Sequence, residues 1–138
     1  MHRDRGRGRQ TDQRRAISAA MRAAGRPLRP EEVLSEAQDS VPGLGIATVY
    51  RALKALVEAG ELRVVELPGD TTRRYELADL RHHHHFHCDH CNRVFDIDLC
   101  PGDLSRHAPP GFVVTSHELL LHGRCQSCNA ATPAQAVV

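Results

Sequence analysis

Four of the five cysteines stand in two Cys-x-x-Cys pairs, Cys88/Cys91 and Cys125/Cys128, with 33 residues between the pairs. A Cys-x-x-Cys knuckle directs two thiolates at one ion, and two knuckles complete a tetrahedron around Zn²⁺. Redox dithiols are the competing use of such pairs, but they sit in βαβ units, and neither pair has that setting. With protein donors in all four positions, such a zinc is structural rather than catalytic. Cys100 is left over and is expected to be a buried or idle thiol.

Upstream of the first knuckle, residues 82–87 read His-His-His-His-Phe-His. On a strand, alternate side chains face opposite sides. His82 and His84 then share one face and His83 and His85 the other, so one run can feed two separate metal sites. Each needs further donors. His117 and Asp103 are candidates for the first, Glu76 for the second. Imidazole and carboxylate suit zinc, iron, manganese or nickel alike. The competing reading is a solvated polar strand with incidental histidines. His87, His90, His107 and His122 are expected not to be ligands.

The elements that must position these groups follow from periodicity. Residues 12–24 carry Ile17, Ala20, Met21 and Ala24 at helical spacing, with Thr11 as N-cap and Gly25 as stop. A second helix is expected over 30–38, opened by Pro30, Glu31 and Glu32. A third spans 46–59, with Val49, Leu53, Leu56 and Val57 inward and Gly60 as stop. Two β-prone runs, 62–67 and 73–77, flank the turn at 68–71. Three short helices and a hairpin make a winged helix-turn-helix. Beyond a link at 78–81, strands are expected over 83–88, 93–98 and 112–123. One short helical turn falls within 101–107, and the last ten residues read as frayed. The fold class is α+β: a winged-helix domain over 1–78, then a small α/β domain over 79–138 holding the Cys₄ site.

The 138 residues have a net charge of only +1, which hides an asymmetry. Residues 1–29 hold nine arginines against Asp4 and Asp12, whereas nine of the ten histidines lie beyond Arg81. One end suits an anionic partner, the other protons or metal. The first ten residues read as a solvated arm. No apolar run reaches membrane-spanning length and Met1 leads into arginines, so a cytoplasmic protein with no membrane partner is expected.

Several segments resemble the ferric uptake regulator family, in order, across residues 9–128. They are Arg9-x-Thr11-x-Gln13-Arg14, PGLGIATVYRAL (42–53), RYEL (74–77), HHHHFHCDHC (82–91) and SHELLLHGRCQSC (116–128). The resemblance implies a homodimeric, metal-activated repressor. It places Cys88, Cys91, Cys125 and Cys128 in the structural zinc site. His82, His84, Asp103 and His117 fall in a site of the dimerisation domain, and Glu76, His83 and His85 in the sensory site at the domain hinge. Iron and peroxide sensors of the family add a histidine before the second helix, where Pro27 stands. LCPGDL (99–104) and the histidine run look most like the zinc uptake regulator branch. That branch often places a cysteine after the wing, where this chain has Ala78 and Asp79. Zn²⁺ is therefore expected as structural and regulatory metal, with Fe²⁺ or Mn²⁺ as alternatives at the regulatory site. The corresponding alternative function is an iron-, manganese- or peroxide-responsive regulator.

In the third helix Ala47, Thr48, Tyr50, Arg51 and Lys54 are free to face outward. Arg and Lys suit phosphate or guanine, while Tyr and Thr suit base edges and thymine methyls. Tyr50 and Arg51 match the family's principal DNA-contacting positions, with Thr48 and Arg14 expected beside them on double-stranded operator DNA. A twofold dimer reads an inverted repeat, one helix per half-site. An enzyme is not expected. His117-Glu118 followed by His122 misses the helical spacing of a zinc hydrolase by one residue. A zinc-storage role leaves the third helix and the arginines without a purpose.

Overall fold

The computed structural model describes residues 3–131, so most of the segment expected to fray lies outside the described residues. The chain divides between Leu80 and Arg81 into two compact units, two residues beyond the expected boundary. The first holds α1 (Arg3–Ala24), α2 (Pro30–Ala37), α3 (Ile46–Glu58), β1 (Leu62–Val65) and β2 (Arg74–Leu77). The second holds β3 (His84–Cys88), β4 (Val94–Ile97), a 3₁₀ turn (Ser105–His107), β5 (Leu120–Gly123) and α4 (Gln126–Ala131).

In the first unit the apolar stripes of three helices meet in one core. Ile17, Leu28, Val33, Val49 and Leu53 are wholly buried, with Met21, Leu56 and Leu62 nearly so. Each such side chain contributes about 1.5–3 kcal/mol over leaving it in water. Gly25 and Gly60 take left-handed φ values of 60° and 77°, which end α1 and α3 at no side-chain cost. β1 and β2 pair antiparallel from Leu62↔Leu77 to Val65↔Arg74. Reciprocal hydrogen bonds of 2.9 Å between Leu28 and Tyr75 tack this wing to the α1–α2 connector. At the wing's turn Asp70 accepts from the Thr72 N–H (2.8 Å) and from buried Arg74 (3.1 Å). These partners, Thr72 first, hold its carboxyl down at about 2.

The first helix corrects one expectation. It begins at Arg3, not after Thr11, and Thr11 is an interior residue whose hydroxyl donates to the Arg7 carbonyl at 2.9 Å. That i→i−4 bond satisfies the hydroxyl without a cap. Arginine is a good helix former, and the arginines outweigh Gly6 and Gly8.

The second unit is a three-stranded sheet in the order β4-β3-β5, β4 antiparallel and β5 parallel to β3. The strand expected over 112–123 forms only over Leu120–Gly123. Residues 112–119 have strand-like sequence, but among the described residues they form no strand ladder beyond the His85 N–H bond to the Leu119 carbonyl at 3.1 Å, and Phe112 and Val113 are 69% and 85% exposed. Among the described residues of this unit only His84, Cys88 and Val94 are buried as whole residues. So thin a core needs a staple such as a metal or a second subunit.

Candidate metal centres and nucleic-acid interface

The two knuckles converge. Cys88 ends β3, Cys91 lies in the β3–β4 turn, and Cys125 and Cys128 flank and enter α4. Their four Sγ atoms lie within 4.8 Å of one another, Cys91 and Cys125 at 3.9 Å. Thiolates about 2.3 Å from zinc in a tetrahedron stand about 3.8 Å apart, so the spacing fits the ion. Backbone geometry favours charge on one sulfur. Burial pushes the Cys88 thiol up, but N–H groups of Cys91, Cys125 and His90 outweigh it and bring it to about 6. The Cys125 sulfur beside Cys128 pushes that thiol up to about 12. Four adjacent sulfurs cannot all ionise unaided, and a dication removes that conflict.

A second group gathers His82, His84, His117 and Cys100. His82 and His84 pack ring against ring with centroids 4.6 Å apart, and His117 lies 5.0 Å from His84. The Cys100 sulfur sits 3.2 Å from His117 Nε2, 3.5 Å from His84 Nε2 and 3.7 Å from His82 Nε2. Cys100, expected to be buried or idle, is not buried. It is exposed and aimed into the histidines. Asp103, expected in this group, is instead engaged by Ser105, whose N–H (2.8 Å) and hydroxyl both donate to Oδ1. Ser105 foremost, then His117, holds its carboxyl below the usual range. His84 has a competing commitment, because the Leu119 N–H donates to its Nδ1 at 3.0 Å. The neutral ring then carries its proton on Nε2, toward the sulfur, and joins a metal only by giving up that bond.

A third group lies on the other side of the histidine run. His83 and His85 have ring centroids 4.8 Å apart, and their Nε2 atoms stand 3.5 Å and 3.6 Å from Asp96 Oδ1. His83 Nδ1 donates to the Arg81 carbonyl at 2.6 Å. That bond fixes the tautomer and leaves the Nε2 lone pair facing the carboxylate, the arrangement metal-ligating histidines take. Asp96 was missed from sequence. β4 folds back on β3 with His85↔Asp96 in register, so counting outward from the knuckle would have found it. Glu76 belongs to the first unit. It is buried on β2, where its carboxylate accepts from its cross-strand partner Arg63 at 2.6 Å. Pro27, where a further histidine would stand, is buried.

On α3, Ala47, Tyr50, Arg51 and Lys54 are exposed and Thr48 half-buried, while Val49, Leu53 and Leu56 face the core. Arg51 donates to the Thr48 hydroxyl at 3.1 Å. Arg9, Gln13 and Arg14 of α1 line one groove together with Thr48 and Arg51. Arg9 and Gln13 thus join the basic face beyond the residues read as DNA-binding from sequence. Such a face of guanidiniums and amides suits phosphate and base edges.

A winged-helix unit with an exposed basic recognition face, joined to a unit rich in metal-ligating clusters, defines a metal-responsive DNA-binding transcription regulator rather than an enzyme. The family model of the ferric uptake regulator family matches residues 6–122, and the chain belongs to that family. It is 32% identical over 124 residues to the ferric uptake regulation protein of Campylobacter jejuni, covering 86% of this chain and 78% of that one. Among solved structures it resembles the Helicobacter pylori ferric uptake regulator, described as having three functional metal binding sites. There the TM-score is 0.63 at 27% identity, covering 84% and 79% of the two chains. A zinc-bound manganese uptake regulator superposes with a TM-score of 0.71 at 25% identity, covering 83% and 88%. Among the described residues no helix is long and apolar enough to cross a membrane.

Proposed function

We propose that this regulator is a zinc-responsive repressor that binds inverted-repeat operator DNA as a homodimer and controls metal-uptake genes. The observation that carries the choice of zinc is Cys100 among three imidazoles. A sulfur donor selects zinc over Fe²⁺ and Mn²⁺ by ligand type, whereas a set of imidazole and carboxylate donors is used by all three metals. The group of His83, His85 and Asp96 is proposed as the regulatory site. Glu76 is added to that site from its place in the sequence and from the family resemblance. The nitrogen and oxygen donors of this group also suit Fe²⁺ or Mn²⁺, which keeps an iron- or manganese-responsive regulator as the second reading. The Cys₄ group is proposed as structural zinc. Phe112 and Val113, apolar, exposed and outside any strand ladder among the described residues, support a homodimer that pairs this edge.

The test is operator binding with free metal held by buffers. Zinc is expected to switch binding on far below micromolar free concentration, with iron and manganese needing much more. Activation by Fe²⁺ or Mn²⁺ at cell-like levels, with zinc inert beyond the Cys₄ site, overturns the zinc reading. In the same assay Arg51→Ala and Tyr50→Phe are expected to weaken binding with metal content unchanged. The arginine change should cost about 1–3 kcal/mol, roughly 5- to 150-fold, if it contacts a base. Affinity should also fall steeply with salt as phosphate contacts release counterions. Undiminished affinity in both variants would move the reading surface off α3.

The second metal group makes a sharper distinction between two residues. With zinc already at the four cysteines, Co²⁺ added to the wild type should develop a sulfur-to-cobalt charge-transfer band. Cys100→Ala should abolish that band and weaken the site by on the order of 100-fold or more, beyond what loss of a supporting contact does. Asp103→Ala should leave the band in place. Cobalt bound without a charge-transfer band in the wild type, with affinity unchanged in Cys100→Ala and lowered in Asp103→Ala, restores the carboxylate as ligand.

A further inference from the structure

One cluster of metal-ligating side chains lies outside all three groups above. His87 on β3 and His122 on β5 are direct register partners in the parallel pair, and Asp89 follows Cys88 into the knuckle. His87 Nδ1 faces His122 Nδ1 at 3.3 Å, and Asp89 Oδ1 lies 3.6 Å from the first and 3.8 Å from the second. We infer that His87, Asp89 and His122 form an additional, solvent-open site for a borderline divalent transition metal such as Ni²⁺, Zn²⁺ or Cu²⁺.

Tautomer, spacing and support all agree with this assignment. His87 Nε2 donates to Asn92 Oδ1 at 2.7 Å, so the neutral ring keeps its lone pair on Nδ1, toward the other two donors. A carbonyl oxygen behind a histidine is the support that ligating imidazoles use to fix orientation. Asn92 is itself held by the knuckle, at a left-handed φ of 61° and with its N–H bonded to the Cys88 carbonyl at 2.9 Å. Nitrogen and oxygen donors about 2.0–2.1 Å from a tetrahedral ion stand about 3.3–3.4 Å apart, close to the separations found. Asp89 is fixed through its own N–H, which donates to the Gly123 carbonyl at 2.8 Å. Little ordering remains to be done on binding, which lowers its cost. In the absence of an ion the His122 Nδ1 proton can bridge the two rings, and a metal takes its place.

The site differs in kind from the others. His122 and Asp89 are 53% and 63% exposed, His87 only 16%. Three protein donors leave at least one position for water or an outside ligand, so the bound ion is exchangeable. It should fill after the more enclosed groups.

Nickel is the probe, because an extra ion is countable beside the zinc of the four cysteines and its paramagnetism marks nearby rings. Full-length protein with cysteine-bound zinc is titrated with Ni²⁺, in parallel with His122→Ala and Asp89→Asn. Both variants are expected to bind one fewer nickel per subunit, with cysteine zinc unchanged. Paramagnetic broadening of the His87 imidazole signals, present in the wild type, should vanish. Zinc counted in the same samples separates a lost site from a lost fold. Asp89→Asn with its zinc intact, the full nickel count and unaltered His87 broadening overturns the inference.

Discussion

Cys125→Ser is expected to lose one zinc per subunit and to unfold the second unit while the first keeps its helical signal. The magnitudes decide this. Structural zinc binding in small metal-folded peptides is worth about 10–16 kcal/mol, whereas a whole domain is stable by about 5–15 kcal/mol. Among its described residues the second unit has only His84, Cys88 and Val94 buried as whole residues to set against that loss, whereas the first buries Ile17, Leu28, Val49, Leu53 and others. Circular dichroism should therefore keep most helix, and the proposed dimer should be lost in sedimentation or size-exclusion experiments. Cys88→Ser should do the same. A Cys125→Ser protein that remains a stable dimer with wild-type zinc content refutes the Cys₄ assignment.

Replacing His83 and His85 together by alanine is expected to abolish the metal response of DNA binding. Metal regulates only to the extent that it binds one conformational state better than another. Couplings of this kind are typically about 1–3 kcal/mol, or roughly 5- to 150-fold in operator affinity. The double variant should collapse that gain to near unity while still filling the group of His82, His84, His117 and Cys100. The reciprocal variant, His82→Ala/His84→Ala, should keep the switch and change stability or the graded response instead. Titrating operator binding with and without zinc, with metal counted per subunit, checks both. If either pair of changes empties both groups, the histidine run is not divided by face.

Much of this was legible in the sequence, and for identifiable reasons. The helical stripe of Val49, Leu53 and Leu56 left Tyr50, Arg51 and Lys54 outside, and the structure places them so. Period-two alternation put His82 with His84 and His83 with His85, the pairs whose rings lie together. Three things were not legible, each because the deciding partner is distant or ambiguous. The arginines before Thr11 read as a solvated arm, since Gly6 and Gly8 obscure a helix. Residues 112–119 carry β-prone Phe112, Val113 and Val114, but composition cannot say that most of the segment finds no strand partner among the described residues. Cys100 stands 17 residues from His117 in a loop, and only the fold brings its sulfur to 3.2 Å from that ring. Asp96 was recoverable by counting back across the hairpin, because residues 88 and 93 bond at its base.

The run from His82 to Cys88 feeds four clusters; on β3 parity alone separates His84 from His85, and His82 and His83 just before the strand keep the same alternation. Its reading frame is pinned at one end by Cys88 within the knuckle. A point substitution therefore disables one cluster at a time and leaves its neighbours intact. Inserting or deleting a single residue between His85 and Cys88 is a different kind of lesion. It rotates every upstream histidine to the opposite side and exchanges the donors of two clusters at once. This segment should thus accept changes of letter far more readily than changes of length. Descendants could retune which metal each cluster prefers by single substitutions, but could not add or drop a residue here without scrambling the whole set.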